Sequence, residues 1–143
     1  MARLYLAYGS NLSTARMAGR CPAASPVRPV TVAGWRLRFD KVATIERAAD
    51  GSLPAALYRI TAGCERTLDT LEGVTEGRYR RVWLTLPAET GGDHRILSYI
   101  KIDARRGPPT GAYVRHIAAG YDDWGHDLTD LVAALRRCRP EAS

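Results

Sequence analysis

A chain of 143 residues, 45% hydrophobic and 25% charged, has the size and mixture of one compact domain over residues 1–143, with no need of disulfides or a structural metal. Its cysteines, Cys21, Cys64 and Cys138, are odd in number and too far apart for a zinc knuckle or dithiol motif, so they read as reduced thiols. The net charge of +6 rests on arginine, with Lys41 and Lys101 the only lysines, and the arginines are scattered among acids and apolar residues. That scatter argues against a nucleic-acid partner, while the positive field favours a small anionic substrate.

No apolar run is long enough to span a bilayer, and no signal-like segment opens the chain. The expectation is a cytoplasmic protein with no membrane partner, a monomer or a homodimer.

In chain order, Arg3-Leu4-Tyr5-Leu6-Ala7-Tyr8 reads as a buried strand ended by Gly9. A helix is expected over 13–20, then a proline-rich loop over 22–29. Strands follow at 32–39, 42–45 and 53–60, the last two around an Ala49-Asp50-Gly51 hairpin turn. Thr61 looks like the cap of an amphipathic helix over 62–72, with Cys64, Leu68 and Leu71 at helical spacing and Gly73 at its C-terminal stop. Strands at 79–86 and 96–102 flank a glycine-rich turn over 89–93, helices near 110–119 and 128–137 close the pattern, and 139–143 reads as a tail. Six strands in runs and four helices predict an α+β fold, its mixed sheet closing into a small barrel flanked by helices.

Two segments can carry chemistry. In Tyr8-Gly9-Ser10-Asn11-Leu12, a glycine directly after a buried strand permits close approach of a ligand to the backbone. Ser10 and Asn11 add polar side chains, Asn11 could cap the next helix, and the helix start supplies unpaired N–H groups for a carboxylate or an oxyanion. A plain strand-turn-helix connection has the same pattern. The second segment is Leu68-Asp69-Thr70-Leu71-Glu72-Gly73, with Tyr79 beyond it. Glu72 ends an amphipathic helix and is either a surface acid or, in an apolar setting, a base of raised pKa. Arg105-Arg106-Gly107-Pro108-Pro109 with Tyr113 is weaker punctuation. His94, His116 and His126 are isolated, Trp35, Trp83 and Trp124 read as packing, and Asp122-Asp123 as a solvated turn.

In order, YLAYGSNL at 5–12, GWRLRF at 34–39, ALYRIT at 56–61, LDTLEGVTEGRY at 68–79, RRGPPTGAY at 105–113 and IAAGYDDWG at 117–125 resemble the γ-glutamyl cyclotransferase family, including its plant AIG2-like relatives. The resemblance implies that family's fold and a cofactor-free, metal-free release of 5-oxoproline from a γ-glutamyl amino acid or γ-glutamylamine. The substrate's own α-amine would attack its γ-carbonyl. It also implies Glu72 as general acid and base, and Tyr8, Gly9, Ser10, Asn11, Leu12, Tyr79 and, more weakly, Tyr113 as substrate-binding residues. Whether the loop would meet the α-carboxylate or the γ-carbonyl oxygen stays open, as does the leaving group. Ala55-Ala56 departs from the glycine common in relatives. The alternative reading is a non-catalytic small-molecule binding module of the same fold.

Overall fold

The computed structural model describes residues 3–87, 93–102 and 107–138. Arg105-Arg106, residues 89–92 of the expected turn and the tail over 139–143 lie outside them. The described residues form a five-stranded mixed sheet with helices packed on it. In chain order these are β1 (Arg3–Ala7), a 3-10 turn (Ser10–Leu12), α1 (Thr14–Arg20), β2 (Ser25–Asp40), β3 (Val42–Ile60), α2 (Ala62–Leu71), β4 (Tyr79–Pro87), β5 (Asp93–Lys101), α3 (Gly111–Trp124) and α4 (Thr129–Arg137). The strand order is β2-β3-β1-β5-β4, so β1 is central. It runs antiparallel to β3 and parallel to β5. Buried on both sides by its neighbours, β1 is the short apolar run that Tyr5, Leu6 and Ala7 predict.

The α+β class holds, but the sheet is open, with β2 and β4 at its edges, and does not close into a barrel. The described residues form five strands and not six, because the runs at 42–45 and 53–60 belong to one strand. Trp35 pairs with Arg47 and Ala33 with Ser52, so residues 48–51 face Gly34 alone. Ala49-Asp50-Gly51 is thus an irregularity within a ladder and not a hairpin turn. Gly34 has φ +85°, and a methyl group on Gly51 would meet the Trp35 carbonyl oxygen at 2.5 Å. Both positions therefore need glycine for the strands to stay paired across the bulge.

The true β2–β3 turn is at Lys41, with φ +66°. No glycine or asparagine marks it; the Lys41 N–H donates to the Gly107 carbonyl at 2.9 Å, tying the tip to the segment before α3. The segment over 22–29, expected as a loop, enters β2 at Ser25. Pro26 and Pro29 are tolerated there because β2 is an edge strand with no second partner for their missing N–H groups.

The helices follow their local signals closely. Ser13, not Asn11, caps α1, its hydroxyl accepting from the Arg16 N–H at 3.3 Å. Thr61 caps α2 through the Cys64 N–H at 3.1 Å. Cys64 and Leu68 are buried, but Leu71, expected on the same apolar face, is exposed. Helix α3 runs past its expected end, so Asp122 and Asp123 are helical and not a turn. The Asp123 carboxylate accepts from both the N–H and the hydroxyl of Thr14, at 2.9 and 3.1 Å, joining α3 to the start of α1. The indole N–H of Trp124 donates to the Leu12 carbonyl at 2.9 Å. Gly120 lets α3 lie against the 3-10 turn, since a methyl there would fall 2.6 Å from backbone atoms of Leu12 and Ser13. These contacts seat the loop after β1.

Candidate active site

The loop after β1 and the end of α2 open into one cavity. Its inner part, of about 40 Å³, is lined by Tyr5, Tyr8, Gly9, Ser10, Asn11, Ala43, Glu72, Tyr79, Ser98, Tyr99 and Tyr113. It continues into an outer chamber of about 380 Å³ that shares Ser10, Glu72, Tyr79 and Tyr113. The inner part has room for a small polar group, while the outer chamber reaches the volume of a ligand site.

Glu72 is placed by the way α2 ends. It is the last residue with helical dihedrals, at φ −80° and ψ −6°, and Gly73 follows with φ +66°. The Gly73 N–H donates to the Thr70 carbonyl at 3.1 Å and the Val74 N–H to the Asp69 carbonyl at 3.0 Å. This paired closure satisfies the carbonyls of Asp69 and Thr70 and requires a left-handed residue at Gly73. Glu65, Asp69 and Glu72 share one helix face by their spacing. The first two are neutralised: Glu65 meets Arg3 and Arg81, and Asp69 accepts from Arg81 at 2.9 Å and from the Tyr99 hydroxyl at 2.6 Å. Glu72 has no hydrogen bond or ion pair to its carboxylate among the described residues. Burial pushes its pKa above the ordinary glutamate value, while the charges of Arg20 and Arg78 hold it back.

The tyrosines make a fixed wall. The Tyr8 hydroxyl donates to the Tyr99 carbonyl at 2.5 Å. The Tyr79 hydroxyl donates to the Ala43 carbonyl at 2.8 Å, and the Ala43 N–H donates to the Tyr113 hydroxyl at 3.0 Å. That leaves the Tyr113 hydroxyl proton free to face the cavity. Burial raises the pKa of Tyr5, Tyr8, Tyr79 and Tyr113, so all four are neutral hydrogen-bonding groups at neutral pH. Asn11 is locked, its amide donating to the Tyr5 hydroxyl at 3.1 Å and accepting from Arg20 at 3.2 Å. Gly9 sits against the wall, where an added methyl would lie 3.2 Å from the Ala43 side chain. The turn at Ser10 begins as a helix does, with amides that have no intrahelical acceptor.

Of the residues singled out in the sequence, Tyr8, Gly9, Ser10, Asn11, Glu72, Tyr79 and Tyr113 meet at this cavity. Leu12 does not; it is fully buried under α3 and acts by packing. Ala55 and Ala56 are core residues of β3, and the Ala55 carbonyl lies 2.8 Å from the His126 ring. Tyr5, Ala43, Ser98, Tyr99, Arg16, Arg20, Arg78 and Lys101 line the cavity without having been expected. Arg16 and Arg20 stand four apart on one helix face, a visible signal; the others come from strand register and have none in sequence. Among the described residues, no group of three or more potential metal ligands comes together, and no helix is long and apolar enough to cross a membrane.

No family model matches the chain. Human γ-glutamylcyclotransferase is 26% identical over 137 residues, covering 87% of this chain and 73% of that protein. A solved structure described as a γ-glutamyl cyclotransferase superposes with a TM-score of 0.83 at 23% identity, covering 100% of this chain and 91% of its own. A yeast γ-glutamyl cyclotransferase described as specific to glutathione gives 0.59 at 14% identity, over 98% of this chain and 100% of its own. The chain is thus similar in sequence to γ-glutamylcyclotransferases and shares the fold of a solved γ-glutamyl cyclotransferase.

Proposed function

We propose that the protein releases 5-oxoproline from a γ-glutamyl substrate by intramolecular aminolysis, with Glu72 carrying the proton. One observation supports this reading above the others: an unpaired, partly desolvated carboxylate and the Gly9–Asn11 turn open into the same tyrosine-walled cavity. An α-amine has a pKa of about 8, so most of it carries an extra proton at pH 7 and cannot attack. A carboxylate whose pKa is raised by burial is a better base than an exposed one.

In the proposed reaction Glu72 takes a proton from the α-amine, whose nitrogen attacks the γ-carbonyl carbon and closes a five-membered ring. The carbonyl oxygen becomes an oxyanion, for which the amides at the start of the 3-10 turn and the Tyr113 hydroxyl are fixed donors. Donors of this kind contribute on the order of 3 kcal/mol each in comparable sites. Glu72 returns its proton to the leaving nitrogen as its bond to the γ-carbon breaks, and the ring nitrogen gives up its second proton to the departing amine. The products are 5-oxoproline and a free amine or amino acid.

The test is 5-oxoproline release from a panel of γ-glutamyl amino acids and γ-glutamylamines by the native protein and by Glu72→Gln. The expected loss in Glu72→Gln is on the order of 10²- to 10⁴-fold, the range of a general acid-base residue. Full activity in that variant, or no release by the folded native protein, overturns the proposal.

A further inference from the structure

The outer chamber carries far more positive charge than the reaction calls for. Arg16 and Arg20 reach it from α1, Arg78 from the segment before β4, and Lys101 from the end of β5; Glu72 is the one acid among the described residues of the lining. Four cations against one carboxylate leave a net +3. Elsewhere, Arg3, Arg36, Arg38 and Arg81 all pair with carboxylates, even where half exposed. None of the four chamber cations does so among the described residues.

Two of the four have uncharged partners. Arg20 donates to the Asn11 side chain at 3.2 Å and Lys101 to the Asp40 carbonyl at 2.8 Å. Arg16 has a buried Nε with no hydrogen-bond partner. Burial and the nearby Arg20 charge lower its pKa from the ordinary arginine value, the mark of a crowded cation. The Arg78 guanidinium lies over Gly73, in the space a Cβ would fill. That residue's lack of a side chain is therefore required twice, for its positive φ and for the seat of Arg78.

Uncompensated guanidiniums clustered in a ligand-sized cavity are stabilised by an anion that bridges them. The inner part has room for a polar group such as the γ-carbonyl oxygen, so the leaving group lies in the outer chamber. The glutamyl part, with one α-carboxylate and one α-ammonium, adds no net charge, so a neutral leaving amine leaves the +3 as it is and a single carboxylate leaves +2. We propose that the outer chamber is an anion subsite for the leaving group, that its preferred occupant is a dicarboxylic amino acid, and that Arg16 and Arg78 determine this specificity. The assignment of this chamber to the leaving group rests on the ring-closing reaction proposed above.

The experiment compares kcat/KM for γ-glutamylglutamate, its neutral isostere γ-glutamylglutamine, γ-glutamylalanine and γ-glutamylethylamine in the native protein, Arg16→Gln, Arg16→Lys and Arg78→Gln. The native order falls from γ-glutamylglutamate to γ-glutamylethylamine. Arg16→Gln loses about ten- to a hundredfold on γ-glutamylglutamate, the scale of one charged hydrogen bond, and little on the ethylamine; Arg78→Gln, which also acts on Glu72, lowers the ratio of γ-glutamylglutamate to ethylamine turnover by a similar factor. Arg16→Lys regains most of the loss. Equal turnover of γ-glutamylglutamate and γ-glutamylglutamine, or a loss that is the same for every substrate, overturns the subsite.

A second measurement separates the two proposals. Calorimetric titration of Glu72→Gln with γ-glutamylglutamate and γ-glutamylglutamine needs no turnover. Tighter binding of the acidic compound, weakening with salt, supports the subsite even if no 5-oxoproline is ever released. Equal affinities overturn it whether or not the reaction occurs.

Discussion

The hydroxyls of Tyr79 and Tyr113 bond the two polar backbone groups of a single residue, Ala43, one accepting from its N–H and the other donating to its C=O. Tyr79 opens β4 and Tyr113 lies in the first turn of α3, so the two elements meet at one buried point of β3. The wall of the cavity is thereby fixed by two hydrogen bonds to one residue.

The two bonds differ in what their loss leaves behind. Tyr113→Phe orphans a buried N–H and Tyr79→Phe a buried carbonyl, and unpaired donors are the less tolerated. Each change is expected to cost about 1–3 kcal/mol of stability in denaturant unfolding, with Tyr113→Phe the larger. Equal stability of Tyr113→Phe and the native protein would show that the Ala43 bond contributes nothing.

Glu72 links the site to stability through pH. Its folded pKa lies above the ordinary value of 4.5, so the folded state holds the proton more tightly than the unfolded chain does. That contribution is fully present below the ordinary value and is lost as pH rises through the raised folded one. Glu72→Gln, neutral throughout, is expected to melt with the native protein at acidic pH and above it at pH 7. A variant less stable than the native protein at pH 7 would mean that the carboxylate has partners that offset its burial.

The same carboxylate sets the acidic limb of the rate. Activity needs the ionised form, so kcat/KM for γ-glutamylalanine is expected to fall toward acid with a midpoint above that of an exposed glutamate. Arg20 is the strongest neighbour holding the pKa down. Arg20→Gln should move the limb further up in pH, whatever it does to the maximum rate. A limb that stays in place or moves toward acid would separate Glu72 from Arg20.

Gly120 tests how the loop is seated. Its methyl would press on the Leu12 side chain and fall 2.6 Å from the backbone of Leu12 and Ser13, neither the far end of a flexible side chain. Gly120→Ala is expected to lose about 1–3 kcal/mol of stability, as overpacked sites do. The loss should be accompanied by a fall in kcat/KM, because the displaced turn carries Ser10 and Asn11. Melting temperature and 5-oxoproline release measured on the same samples check both halves, and an unchanged kcat/KM would uncouple the turn from the site.

Local signals in the sequence were enough for the four α-helices of the described residues and for marking Glu72 and the loop after β1 as candidates. The glycine after a short apolar run ends β1, Thr61 caps α2, and Gly73 closes it with Glu72 at its tip, because caps and left-handed residues act within a few positions along the chain. The same locality explains the errors. Ala49-Asp50-Gly51 has the composition of a turn, yet pairing on both sides of it keeps β3 a single strand, and the real turn at Lys41 has no composition to mark it. The proline-rich start of β2 is a strand only because that strand is an edge.

For the site, sequence spacing alone puts Glu65, Asp69 and Glu72 on one helix face and leaves the three equivalent. The tertiary structure distinguishes them, by bringing Arg3, Arg81 and Tyr99 from β1, β4 and β5 to the first two and none of these to the third. It likewise gathers Arg16, Arg20, Arg78 and Lys101 around one chamber from three separate stretches of chain. Spacing along a helix sets which side chains share a face. Which charge is neutralised and which is left facing a cavity depends on strand register across dozens of residues, and that is decided only when the sheet has formed.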